Sequence, residues 1–107
     1  MRKLTIKRRK SIVASLMKVK IYIVDKDNCD RVICGYPCKE VGRVKNNSEL
    51  VIEIDNCEHR IFADVVAQVS DAFVDTIVVP SGEEDVKIRG KNVLSPFKGN
   101  PFVFDKL

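Results

Sequence analysis

The residue types here that could do chemistry are four cysteines, one histidine and several clusters of charge. Cys29, Cys34, Cys38 and Cys57 lie within 29 residues, an even number that admits both a disulfide and a metal reading. Zinc thiolates normally arrive as close pairs on tight knuckles, so that two ligands from one turn meet two from another. The spacing here is C-x4-C-x3-C, then eighteen residues, then C, with no C-x2-C pair. That makes the four weak metal candidates, and the spacing favours small hydrophobic cysteines on strands and loops. His59 follows Cys57 by two positions, which on a strand would put both on one face as a Cys/His pair. Asn56-Cys57-Glu58-His59 reads better as a turn.

Oxygen donors give little more. Glu83-Glu84-Asp85 with Asp71 and Asp75 is the best set for a hard cation, since calcium takes six to eight oxygens from loops, but the spacing matches no EF-hand and a solvated loop is expected. Asp25 and Asp27 fall in a turn where water reaches both, so neither gains the raised pKa that a general acid needs. The chain has no G-x-S-x-G, no phosphate loop and no H-E-x-x-H, which argues against catalysis. No enzyme activity and no cofactor are expected.

Charge is distributed unevenly. Residues 1–20 contain eight Lys or Arg and no acid, while all fifteen acids follow, among eleven basic residues. Lys7, Arg8, Arg9, Lys10, Lys18 and Lys20 could neutralise phosphates, each contact adding to a salt-dependent affinity. Single-strand binders interleave such charge with stacking aromatics, and only Tyr22 and Tyr36 are near. A basic strand neutralised by acidic neighbours is the favoured reading.

These residues must be positioned by strands. A chain of 107 residues, 45% hydrophobic and 32% charged, fits one compact domain over 1–107. The stretch Ser11 to Met17 imitates a secretory signal, but Lys18 and Lys20 interrupt it and no run approaches the ~20 apolar residues of a membrane span. A cytoplasmic location is expected. Period-two alternation places Leu4 with Ile6, Met17 with Val19, Ile21 and Ile23, and Leu50 with Ile52 and Ile54 on single faces. Lys18 and Lys20 then point to water. Further strands are read over Arg31–Cys34, Val41–Val44, Ile61–Val69, Phe73–Val79, Val86–Arg89 and Phe102–Phe104. For Ile61–Val69 β-branched content decides against a helix. Turns follow at Arg9-Lys10-Ser11, Asp25 to Asn28, Lys45 to Ser48, Ser70 to Ala72, Pro80 to Gly82, Gly90 to Asn92 and Gly99 to Pro101, while Gly35 closes the strand before it and Tyr36-Pro37 is extended or a turn. Short links predict antiparallel pairing. The fold class is all-β: an antiparallel sandwich, jelly-roll or Ig-like, of about seven to nine strands. Phe97, Phe102 and Phe104 would close its core.

The run KRRKSIVASLMKVKIY, Lys7 to Tyr22, followed by KEVGRVKNNSELVIEI, Lys39 to Ile54, resembles a group of small uncharacterised bacterial all-β domains and is similar to PEGA-type domains in the order strand, G-x-(L/V), polar turn, strand. The likeness covers half the chain. Asn47-Ser48 stands where Gly-Glu is usual, and Asp27 to Cys38 is a cysteine-bearing insertion. The resemblance implies a β-sandwich and no catalytic residues.

The function expected is a non-catalytic interaction module, using a sheet face or edge strand to bind another protein or itself. Binding of nucleic acid or an anionic membrane through the basic N-terminal strand is the alternative, and a thiolate metal-binding domain a third.

Overall fold

Alternating side chains suit a pleated strand with one face buried, and the chain uses this pattern nearly throughout. The computed structural model describes residues 1–12, 16–65, 74–94 and 101–105. Among the described residues nine strands are formed: β1 (Arg2–Arg8), β2 (Val19–Val24), β3 (Arg31–Ile33), β4 (Tyr36–Val44), β5 (Glu49–Ile54), β6 (His59–Val65), β7 (Asp75–Val79), β8 (Val86–Asn92) and β9 (Phe102–Phe104). They make two sheets, one of four strands ordered β5-β1-β8-β9 and one of five ordered β3-β4-β2-β6-β7. The fold is an all-β sandwich.

Leu4, Ile6, Ile54, Ile88 and Phe102 from the first sheet meet Val19, Ile21, Ile61, Ala63 and Val79 from the second in one core cluster. Burying each such Ile or Leu contributes about 1.5–3 kcal/mol relative to leaving it exposed. Phe102 and Phe104 pack edge to face, with centroids 5.3 Å apart, and close the core as the sequence suggests. β9 also lies against β7 in the opposite sheet, where Phe104 N donates to Asp75 Oδ2 at 2.7 Å. Among the described residues no helix is long and apolar enough to cross a membrane.

Three expectations are revised. Pairing is not antiparallel throughout: β1 runs parallel to β8, with Leu4 opposite Val86 and Ile6 opposite Ile88. The reason is that β2 belongs to the other sheet, so β1 has no hairpin partner in it, and β8 takes the place beside β1. Gly90-Lys91-Asn92 is not a turn but the end of β8, paired with β9, while Tyr36-Pro37 takes the extended one of its two readings, in β4, because the β3–β4 hairpin needs only two loop residues. Those are Cys34 and Gly35, both with positive φ, 50° and 85°, as a type I′ turn requires. Finally, β2 starts at Val19; Met17 still packs against the core beside it, and its carbonyl accepts from a side chain described below. The readings at residues 66–73, Phe97 and 99–100 lie outside the described residues, Asp71 included.

Candidate functional site

The connections that cross between the sheets lie at the two ends of the sandwich, and β1 reaches both. Its inward row reads Arg2, Leu4, Ile6, Arg8, a pattern with cations at the ends and aliphatics between. Arg2 Nη2 donates to Cys57 O at 3.0 Å and Pro80 O at 2.7 Å, and its Nε donates to Asp55 O at 3.2 Å. One guanidinium thus ties the β5–β6 crossing to the β7–β8 crossing. At the other end Arg8 is fully buried, with Nη1 donating to Met17 O at 2.6 Å and Val44 O at 3.0 Å and Nε to Asn92 Oδ1 at 3.0 Å. These bonds join the β1–β2 and β4–β5 crossings to the end of β8. Burial lowers the Arg8 pKa from its ordinary value, yet a guanidinium stays charged in proteins.

Between the two sheets, on the side where β4 and β5 run at the rim, lies an open groove of about 550 Å³. Ile23, Val41, Ile52 and Ile54 supply its apolar lining, and Asp25, Lys39, Glu40, Glu53, Asp55 and His59 its polar one. Two features of the backbone keep it open. β3 is so short that it covers only Tyr36, Pro37 and Cys38 of β4; beyond it the Glu40 N–H donates to Asp30 Oδ2 at 3.2 Å, and Lys39–Val44 has no strand partner but β2 among the described residues. β5 in turn pairs only with β1 among the described residues. A register shift at Val41, which falls between Gly42 opposite Ile21 and Glu40 opposite Tyr22, is a bulge that re-aims this side chain. Beyond Val41 the two strands approach closely: the Leu50 methyl carbons lie 2.8 Å from where a Cβ on Gly42 would stand.

His59 and Asp55 form one wall of the groove. His59 Nε2 lies 2.6 Å from Asp55 Oδ1, and the Cys57 backbone N–H donates to the same oxygen at 2.9 Å. Those bonds, the Cys57 backbone donor foremost, hold the Asp55 carboxyl below the usual range. His59 therefore opens β6 with a carboxylate as partner, not Cys57 in a turn. Asp25 is likewise held low, chiefly by the Asn28 side chain and then by the backbone of Asp27 and Asn28. Neither carboxyl has the raised pKa of a general acid.

The cysteines do not assemble. Cys29 lies between β2 and β3, Cys34 in the hairpin turn and Cys57 in the β5–β6 crossing, all exposed, while Cys38 is buried on β4. Burial pushes the Cys38 thiol up, away from the reactive thiolate. No disulfide joins the four, and among the described residues no three His, Cys, Asp or Glu gather as metal ligands. Asp75 bonds Phe104 N, and Asp85 Oδ1 accepts from Lys3 N at 2.8 Å.

The basic residues singled out from the sequence divide between different surfaces. Arg8 is inside and cannot meet an anion from solvent. Lys7 and Arg9 sit on the outer side of β1, with Arg9 paired to Asp105 at 2.8 Å. Lys10 and Lys18 are exposed in the β1–β2 connection, and Lys20 lies on the outer face of the five-stranded sheet, opposite Asp64. Sequence reasoning missed Arg2, Lys3 and the groove residues Val41 and Ile52. The alternation Arg2-Leu4-Ile6-Arg8 was the available signal for the buried arginines.

The outer face of the five-stranded sheet carries a second buried cluster, Tyr22, Ile33, Cys38, Phe62 and Val74. Arg31 Nη1 pairs with Asp64 Oδ2 at 2.6 Å, and its guanidinium lies 5.4 Å from the Tyr22 ring centre. Asp64 Oδ1 has no hydrogen-bond partner among the described residues.

These features define a class: a small two-sheet β-sandwich with buried arginines at both ends and an open inter-sheet groove between β4 and β5. Comparison with family models, with characterised proteins and with solved structures finds no match to this chain.

Proposed function

We propose that this domain is a non-catalytic interaction module that takes an extended polypeptide segment into the groove between β4 and β5. The observation that supports it is the pair of strand edges without a β partner, Lys39–Val44 and Glu49–Ile54, flanking an apolar floor. An exposed edge offers a row of main-chain donors and acceptors, and a peptide that adds there as a strand gains affinity from the backbone and specificity from alternate side chains. Ile52 and Val41 would take the apolar side chains. Asp25, Glu40, Glu53 and Asp55 outnumber Lys39 at the rim, so the side chains between should be basic. Glu40 also holds Arg43 at 3.1 Å, which moderates but does not reverse the sign. Cysteines joined by no disulfide fit the reducing cytoplasm.

The test is fluorescence anisotropy with two labelled octapeptides, one alternating Val with Lys and one alternating Val with Glu. Saturable binding of the basic peptide alone, lost in Val41→Lys with the fold retained by circular dichroism, is the expected result. Equal binding of both peptides, or none, overturns the proposal.

A further inference from the structure

The outer face of the four-stranded sheet is separate from the groove floor and has its own chemistry. Odd positions of β1 put Lys3, Thr5, Lys7 and then Arg9 outward, and β8 adds Lys87, Arg89 and Lys91 beside them, since Thr5 is opposite Lys87 and Lys7 opposite Arg89. Lys3, Arg9, Lys87, Arg89 and Lys91 are exposed and Lys7 is half-buried. Sequence positions more than 80 residues apart thus form one cationic strip, which the N-terminal charge run alone does not describe. From Lys3 to Arg9 it spans about 20 Å, at roughly 3.4 Å per residue.

We infer that this strip is a contact surface for the phosphate backbone of double-stranded nucleic acid. Three observations select that partner. The strip is narrow and bordered by acids: Glu49 and Glu53 on β5 lie opposite Lys7 and Lys3, and Asp105 follows β9. The Glu49–Lys87 pair spans β1 at 3.5 Å and cancels one cation; a rod of negative charge laid along the strip meets the remaining cations, whereas a lipid surface wide enough to touch all four strands would press anionic headgroups onto Glu53 and Asp105 as well. No aromatic side chain projects from β1, β5, β8 or β9 on this side, so there is no platform for stacking unpaired bases. Duplex carries about one charge per 1.7 Å of axis, so a strip of this length lies beside on the order of a dozen phosphates. Lys87 is held by Glu49 at 3.5 Å and Arg9 by Asp105. Lys3, Lys7, Arg89 and Lys91 enter no ion pair among the described residues, Lys7 Nζ donating only to Asn47 O and Oδ1 at 3.4 and 3.5 Å, and are the four cations that make the contacts.

Four neutralised phosphates correspond to a slope of log K against log salt of about −3.6, which is roughly a 100-fold loss of affinity between 50 and 200 mM salt. The experiment is anisotropy with a 20-base-pair mixed-sequence DNA duplex over that range, with vesicles containing phosphatidylserine in parallel. The expected result is saturable duplex binding with that slope, a slope shallower by about two in Arg89→Ala/Lys91→Ala, and no change in Lys10→Ala/Lys18→Ala, which alters cations off the strip. Lys3→Ala, at an exposed position, should reduce the slope by about one. No duplex binding at 50 mM, a slope the strip variants leave unchanged, a loss in Lys10→Ala/Lys18→Ala, or vesicle binding tighter than duplex binding each overturns the inference. Arg89→Ala/Lys91→Ala alters no residue of the groove and leaves peptide binding there unaffected, so the two proposals fail separately.

Discussion

Arg2 and Arg8 stand six residues apart on the inward row of β1, and between them their guanidinium groups bind all four of the connections that cross from one sheet to the other. Each buried carbonyl at a crossing needs a donor, and a long cation at each end of the central strand supplies several. The two sheets are thereby pinned at both ends, which leaves the β4–β5 side free to stay open without loosening the core.

Arg8→Met should therefore destabilise the domain by about 3 kcal/mol or more, because it leaves Met17 O, Val44 O and Asn92 Oδ1 without this donor in a buried setting. Arg2→Met should cost less, about 2 kcal/mol, since its bonds are only partly buried. Urea unfolding measures both, and a loss below about 1 kcal/mol for Arg8→Met would mean that the crossings do not depend on it.

Gly90→Ala and Gly42→Ala separate rigid from yielding close approaches. A Cβ at Gly90 would stand 2.5 Å from Val103 O and from a Phe102 ring carbon, while at Gly42 it meets only the movable end of Leu50 at 2.8 Å. Overpacking typically costs about 1–3 kcal/mol. Gly90→Ala should reach the top of that range or fail to fold, and Gly42→Ala should stay near the bottom; the reverse order in thermal unfolding would contradict the packing described.

The β3–β4 hairpin contains a residue that is poor for its turn. Cys34 has φ 50° at the first loop position, where Asn is favoured because it tolerates the left-handed region. Cys34→Asn should stabilise the domain by roughly 0.5 kcal/mol, read as a higher urea midpoint with an unchanged slope.

Acid should weaken the fold through Asp25 and Asp55. Both carboxyls are depressed in the folded chain, so folding releases protons where the unfolded groups still bind them. Their stabilising contribution is complete above the unfolded value near pH 4 and is lost as pH falls through the lower folded values. In unfolding measurements from pH 2 to pH 6, Asp55→Asn should flatten the acid limb; an unchanged limb would show that the Cys57 and His59 bonds to this carboxyl do not form in solution.

The apolar alternation was legible because it is local: Leu4 with Ile6, Val19 with Ile21 and Ile23, and Ile52 with Ile54 each announce a buried face within a few residues. What was not legible is pairing across the chain. Nothing near Leu4 says that its neighbours are Ile52 and Val86, and so the parallel pair and the cationic strip that it assembles could not be read in advance. The groove was hidden for a related reason, since it depends on how short β3 is and on a bulge at Val41, both settled by register rather than by residue type. Arg8 was read as a surface cation because charge is usually solvated, although its even position beside Leu4 and Ile6 placed it inward.

Hydrogen–deuterium exchange of the full chain with and without the alternating Val/Lys octapeptide asks whether a strand is added at the open edge. Backbone amides in Lys39–Val41 and Val51–Glu53 should slow several-fold when the peptide is present, with β7 and β9 unchanged. Protection at the β7 or β9 edge instead, or binding with no amide slowed along β4 and β5, would contradict the groove as the site of recognition.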